Sequence, residues 1–93
     1  MVDSPFGVNY SRQMIKDSAR RHGVADEDME HALRLWLVFH DLSDPEGKPF
    51  LLYVGPDTAG RLIEVGINAQ GDIVHAMPAR KQYLPLIKKT TRR

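Results

Sequence analysis

The chain has 93 residues, a formal net charge of +1 and 42% hydrophobic residues, so it fits one small globular domain and not a disordered chain. It contains no cysteine, which excludes disulfides and thiolate metal sites. No apolar run approaches the ~18 residues of a membrane span, and the first residues lack the charged-then-apolar order of a signal peptide. We therefore expect a cytoplasmic protein with no membrane partner.

The single domain is predicted to have three parts. Residues 1–10 contain proline and glycine and should form an arm, residues 11–87 form the core, and the basic residues 88–93 form a tail. A chain of this size buries a modest core, so self-association or a protein partner would stabilise it appreciably.

Two helices are predicted at the start of the core. Residues 11–22 place apolar side chains at helical spacing, with Ser11 as the cap. Gly23 suits the end of this helix, because glycine adopts the left-handed conformation without strain. Residues 24–34 predict a second helix, whose first turn carries acids that the helix dipole favours.

Strands and short turns are predicted for most of the remainder. Because short turns favour antiparallel pairing, the strands should form a meander of about four strands with the helices on one face, an α+β fold. Pro78 can then occupy the first turn of a short final helix, which Pro85 limits. The predicted strands are residues 35–42, 50–54, 61–69 and 73–77.

Charge is distributed unevenly along the chain. Residues 26–46 carry seven acids and one base, whereas residues 80–93 carry six bases and no acid. This asymmetry would suit a cationic partner at one surface and an anionic ligand at another. Solvated charged faces and a basic terminal tail are the simpler interpretation. The acids are Asp26, Glu27, Asp28, Glu30, Asp41, Asp44 and Glu46, and the bases of the final stretch are Arg80, Lys81, Lys88, Lys89, Arg92 and Arg93.

No sequence motif predicts a metal or a cofactor. The four histidines are too scattered for a local ligand pair, and the glycine-containing turns lack the phosphate-binding and dinucleotide-binding patterns. There is also no G-x-S-x-G serine elbow. We expect that neither a metal nor a cofactor is used.

The second half of the chain nevertheless contains residue types that could cleave RNA without a metal. A base takes the proton of the 2′-hydroxyl, an acid protonates the leaving oxygen, and cations stabilise the extra charge on phosphate. If residues 61–69 and 73–77 are adjacent strands, Glu64 and His75 could share the open face of the sheet. Alternatively, His75 is a half-buried residue that only packs against its neighbours, and Glu64 forms a surface ion pair with Arg61. The complete set is Arg61, Glu64, His75, Arg80, Lys81 and Tyr83.

Two stretches, at residues 18–33 and at residues 61–83, resemble the BrnT-like toxins, small RelE-superfamily proteins of bacterial type II toxin–antitoxin pairs. SARRHGVADEDMEHAL (residues 18–33) is similar to a helix–turn–helix near the start of these toxins. RLIEVGINAQGDIVHAMPARKQY (residues 61–83) is similar to their later strand, short turn and basic helix. The resemblance spans about residues 11–83. It implies a RelE-like fold, metal-independent cleavage of RNA, and a cognate antitoxin protein that silences the toxin.

Three hypotheses follow. In the first, the protein is a toxin-like endoribonuclease with RNA as substrate; Glu64, His75 and Tyr83 are the catalytic candidates, and Arg61, Arg80 and Lys81 bind the substrate. In the second, it is a non-catalytic module of the same fold that binds protein or nucleic acid. In the third, it is a subunit of a larger complex, for which an exposed apolar patch at Leu35, Trp36 and Leu37 would be the sign.

Overall fold

The structure is a computed structural model that describes residues 13–85. Its four strands form one antiparallel sheet in which each strand is paired with its neighbour in sequence. The predicted α+β class and the four-stranded antiparallel meander are confirmed. The elements in chain order are a 3-10 turn at Asp17–Arg20, helix α1 at Asp26–Arg34, strands β1 at Val38–Asp41, β2 at Phe50–Pro56, β3 at Leu62–Asn68 and β4 at Ile73–Pro78, and a 3-10 turn at Lys81–Tyr83.

Two hairpin turns of the same construction set the register of β2, β3 and β4. Oδ1 of Asp57 in the first turn, and of Asn68 in the second, accepts hydrogen bonds from two backbone N–H groups of its own turn. Each turn then uses a glycine with positive φ, Gly60 at 89° and Gly71 at 84°. These side-chain-capped turns hold the strands in fixed register, so the positions of residues on β3 and β4 are well determined.

Helix α1 covers one face of the sheet. Its buried residues Met29, Ala32 and Leu33 belong to the same core cluster as Val65 of β3. Gly55 of β2 allows this close approach, because a Cβ at that position would overlap the carbonyl oxygen of Ala32. Of the two N-terminal helices predicted on one face of the sheet, only the second, predicted at residues 24–34, is present in the described part, as α1.

The predicted helix over residues 11–22 is wrong in its described part. The chain is extended at Ile15, which forms a parallel bridge with Ile73 of β4, and only the four residues Asp17–Arg20 make a 3-10 turn. The backbone N–H of Lys16 donates to the Ile73 carbonyl at 2.8 Å. Pairing with the open edge of β4 therefore outweighs the local helical pattern.

The predicted helix that begins at Pro78 is also wrong. Pro78 is the last residue of β4 and pairs with Ile63. The chain stays extended through Arg80, with φ −79° and ψ 149°, and then makes a 3-10 turn of three residues. Arg80 and Lys81 therefore do not lie in the first turns of a helix.

Some predictions fall outside residues 13–85. They concern the arm at residues 1–10, the capping role of Ser11 and the tail at residues 88–93. Among the helices of the described part, none has the length and apolar character needed to cross a membrane.

Candidate functional site

Glu64 and His75 meet on the sheet face opposite α1. Val65 packs towards α1, so the side chain of the preceding residue, Glu64, points to the other face. Glu64 pairs with Met77 across the ladder, and His75 is the diagonal neighbour on the same face. His75 Nε2 lies 2.8 Å from Glu64 Oε2. The predicted sharing of a face is therefore present as a direct side-chain contact.

Arg80 completes the coordination of the Glu64 carboxylate. Its backbone N–H donates to Oε1 at 2.9 Å, and its Nη2 donates to Oε2 at 2.6 Å. Its Nε lies within 3.2 Å of both oxygens. Glu64 is 0% exposed, whereas the side chains of His75 and Arg80 are 24% and 45% exposed. The carboxylate is thus a buried anchor, and its two partners reach the surface.

The environment of Glu64 determines its protonation. Burial raises the pKa of this carboxyl, but the hydrogen bonds from Arg80 and from His75 lower it by more, so the pKa lies below the ordinary glutamate value. The carboxylate is consequently ionised at neutral pH. It in turn raises the pKa of the Arg80 guanidinium through the hydrogen bond between them.

Tyr83 lies beside this cluster and is held by β1. The guanidinium carbon of Arg80 is 5.2 Å from the centroid of the Tyr83 ring, a cation–π distance. The ring of His40 is 5.1 Å from the same ring, and His40 Nε2 lies 3.0 Å from the Tyr83 carbonyl oxygen. A carbonyl can only accept, so His40 donates from Nε2. The segment after β4 is thereby fixed across the sheet.

His22 approaches the cluster from the opposite side. Its ring centroid lies 6.0 Å from that of His75, at an interplanar angle of 75°. The 3-10 turn before it is fastened to β4 by Ser18 Oγ, which donates to the Val74 carbonyl at 2.7 Å. Sequence reasoning considered His22 and His40 as metal ligands and, more simply, as surface or packed histidines. No local pattern connects either residue with His75 or Tyr83, because the contacts depend on how the chain crosses the sheet.

Two of the six predicted site residues are not part of the cluster. Arg61 lies in the turn before β3 with 81% of its side chain exposed, and its Nε is 3.5 Å from Asp57 Oδ2. It lines a separate cavity of about 300 Å³ together with His22 and Asp57. Lys81 is exposed next to Arg80 and forms no ion pair within residues 13–85. Arg61 is therefore not a partner of Glu64.

The structure gathers Glu64, His75, Arg80 and Tyr83 into one cluster at the end of β4. Within residues 13–85 no group of three or more acidic or histidine side chains is arranged to hold a metal ion. The cluster offers an imidazole for proton transfer, a guanidinium edge and a phenol. Comparison with known proteins found no matching family model, no matching curated protein and no matching solved structure, so the function is argued from this geometry.

Proposed function

We propose that this protein is the toxin-like component of a bacterial type II toxin–antitoxin pair, with a RelE-like fold and metal-independent endoribonuclease activity. The observation that carries the proposal is the 2.8 Å contact between His75 and the buried Glu64 at the edge of an exposed surface. The toxin–antitoxin setting comes from the resemblance of residues 18–33 and 61–83 to BrnT-like toxins. One helix with a four-stranded antiparallel meander is compatible with the fold of that superfamily.

Glu64 acts as a positioning residue and His75 as the general base. An ionised carboxylate accepts hydrogen bonds only, so the proton between the two groups belongs to His75 Nε2. In the neutral ring the lone pair is then on Nδ1, which has no hydrogen-bond partner within residues 13–85. Nδ1 takes the proton of the RNA 2′-hydroxyl. Glu64 stabilises the imidazolium that forms, as carboxylates do beside catalytic histidines.

The remaining groups act on the phosphate and the leaving oxygen. The 2′-oxygen bonds to phosphorus, the bond from phosphorus to the 5′-oxygen breaks, and Tyr83 protonates that oxygen or stacks on a base. Arg80 presents the part of its guanidinium that Glu64 does not use, and Lys81 adds an exposed ammonium, so both stabilise the phosphate charge. The products are a 2′,3′-cyclic phosphate and a 5′-hydroxyl.

The test is cleavage of an end-labelled RNA in EDTA by the wild type and by His75→Ala. We expect about a 10²–10⁴-fold loss of rate in the variant, the usual contribution of one general base. His31→Ala is the matched control, because this half-buried histidine also has one bonded ring nitrogen, 2.7 Å from the Pro56 carbonyl, but lies on α1. Cleavage that persists in His75→Ala, or that yields no cyclic phosphate, would refute the mechanism.

A second candidate is a non-catalytic module that binds nucleic acid or a protein. The observation in its favour is that the backbone N–H, Nε and Nη2 of Arg80 all donate to Glu64. These hydrogen bonds give the cluster a structural role, because they hold the segment after β4 in place. The same assay distinguishes the two functions. A folded wild type, verified by circular dichroism, that retains RNA in a filter-binding assay without cleaving it would support the binding module.

The proposed partners are RNA and a cognate antitoxin protein, with self-association as a further proposal. The antitoxin would cover the surface that carries Arg80 and Lys81. Its binding should then prevent access of RNA to His75 and depend on salt, because exposed cations are screened. A complex that forms equally well with Lys81→Glu would place the antitoxin on another surface.

A further inference from the structure

A patch of exposed apolar side chains lies around strand β1. Seven large hydrophobic residues are exposed in the described part, and five of them fall between residues 35 and 42, with exposures from 38% for Trp36 to 57% for Leu37. Such clustering on a small soluble chain is the usual mark of an interaction surface. The five are Leu35, Trp36, Leu37, Phe39 and Leu42.

The aromatic side chains of this apolar patch pack against one another. Trp36 and Phe39 pack edge to face with ring centroids 5.7 Å apart, and Phe39 stacks on Tyr53 of β2 at 5.6 Å. Trp36 also contacts Tyr53, at 5.5 Å. Because the three rings support one another, the surface is ordered before any partner arrives, which reduces the entropy cost of binding.

The backbone of β1 has one open edge. It is the first strand in the sheet order, and within residues 13–85 it pairs only with β2. The N–H of Leu42 donates to the Phe50 carbonyl at 2.9 Å, which fixes the alternation along the strand. By this alternation the backbone groups of Phe39 and Asp41 point away from β2. An open edge with free hydrogen-bonding groups can accept a further strand.

The charge near this edge determines what can bind there. Residues 41–48, the end of β1 and most of the connection to β2, carry three acids and one base, and Asp41 lies within β1 itself. A second copy paired along β1 would add its own acids to this edge, at an electrostatic cost. A basic partner would instead be attracted.

We propose that the open edge of β1 is a docking site for an extended, basic segment of a partner protein, which adds to the sheet as a fifth strand. Phe39 and Asp41 point to the same face, since side chains alternate along a strand. The added strand should therefore present an apolar residue beside Phe39 and a lysine or arginine beside Asp41. Phe39 lies on the α1 side of the sheet and the Glu64 cluster lies on the other side, so the proposal stands without the nuclease.

The test uses the intact chain and its single tryptophan, Trp36, as the fluorescent reporter. The probe is a capped heptapeptide with lysines at positions 1 and 7, valines at positions 3 and 5, and threonines at positions 2, 4 and 6. Because this sequence is the same in both directions, it suits parallel and antiparallel addition alike. The control peptide has glutamates in place of the lysines. We expect the lysine peptide to shift the Trp36 emission and to bind at least about tenfold more tightly, because like charges at an interface are costly.

A charge reversal sharpens the test. Asp41→Lys should exchange the preference, so that the glutamate peptide binds more tightly. Asp41 is exposed and accepts hydrogen bonds from Ser43 alone among the described residues, so the fold should tolerate the change. The matched control is Asp17→Lys, an exposed acid on the first 3-10 turn, which should leave the preference unchanged.

The backbone part of the proposal is tested with N-methylated peptides. One peptide is methylated on its valine nitrogens and the other on its threonine nitrogens. Only one of these two sets of nitrogens faces β1 in an added strand, so one of the two peptides should lose binding. Binding of both methylated peptides, equal binding of the lysine and glutamate peptides, or the absence of binding would overturn the proposal. So would sedimentation that shows a dimer whose formation shifts the Trp36 emission, since a second copy would then occupy the edge.

Discussion

Glu64 and Val65 are neighbours on β3, and both side chains are 0% exposed, but they are buried in different ways. Val65 lies against the apolar residues of α1, in the core cluster. Glu64 points to the opposite face, where His75 and Arg80 enclose it. On β3, therefore, one face is stabilised by apolar packing on α1, and the other carries a buried carboxylate that is held by charged and hydrogen-bonding partners.

The difference teaches what each face contributes. Apolar burial is non-directional and contributes stability roughly in proportion to area. A buried ion pair contributes little net stability, because desolvation offsets much of the attraction, but it fixes geometry. The Glu64 cluster thus sets the path of the chain after β4, and so the position of Tyr83, whereas α1 supplies the stability that this arrangement requires.

The largest effect should come from the apolar face. Leu33→Ala removes a fully buried side chain of α1 and should lower the free energy of unfolding by about 3 kcal/mol, with the same loss at pH 7 and pH 5. The matched control is Leu35→Ala, two residues later and half-exposed, which should change it by less than about 0.5 kcal/mol. Urea unfolding measures both. A loss at Leu33 that varied with pH would break the comparison.

A smaller effect is expected on the charged face. Arg80→Ala leaves Glu64 buried with fewer donors, and removal of one partner of a buried pair typically costs 3–5 kcal/mol. Because the Arg80 side chain is 45% exposed and water can replace it, we expect a loss of about 2 kcal/mol at pH 7. Adding Glu64→Gln should recover part of that loss, because the buried charge is then gone. Additive losses in this double-mutant cycle would mean that the two side chains act independently.

The smallest effect is a pH dependence. Because the folded pKa of Glu64 lies below its ordinary value of 4.5, the ionised cluster stabilises the fold fully above pH 4.5. That contribution is lost as the pH falls from 4.5 through the lower folded value. The unfolding free energy of the wild type should therefore decline more steeply in this acid range than that of Glu64→Gln. Other carboxyls with lowered pKa, such as Asp26 and Asp28, are present in both proteins and cancel. Parallel curves would show that the cluster is not ionised as described.

The sheet was predictable because its signals are local. The alternation of residues 61–69 and the glycine turns determine strands and antiparallel pairing without reference to the rest of the chain. The helix over residues 11–22 was a wrong prediction for the converse reason. Ile15 and Ala19 fit the apolar side of a helix, yet Ile15 pairs with Ile73 at the edge of β4. No local sequence pattern reveals this distant partner.

The site was predictable in part. Antiparallel strands joined by a short turn bring Glu64 and His75 to one face whatever the rest of the fold, and this contact is present. The role of Arg80 was not foreseen, because it depends on the extended path after Pro78 that carries its N–H back to Glu64. Arg61 was grouped with Glu64 on proximity in sequence, but the turn directs it to Asp57.

The bridge between Ile15 and Ile73 has a consequence for the order of folding. Every pairing within the sheet joins strands that are neighbours in sequence and linked by a short connection. The bridge instead closes a long loop, because hydrogen-bonded residues beside it, such as Met14 and Asp72, are 58 residues apart. Long loops are entropically costly to close early, so the meander should form before the N-terminal segment docks on β4. In hydrogen-exchange experiments the amide of Lys16, which is bonded to Ile73, should then exchange through a local opening, well before the amides of β2 and β3.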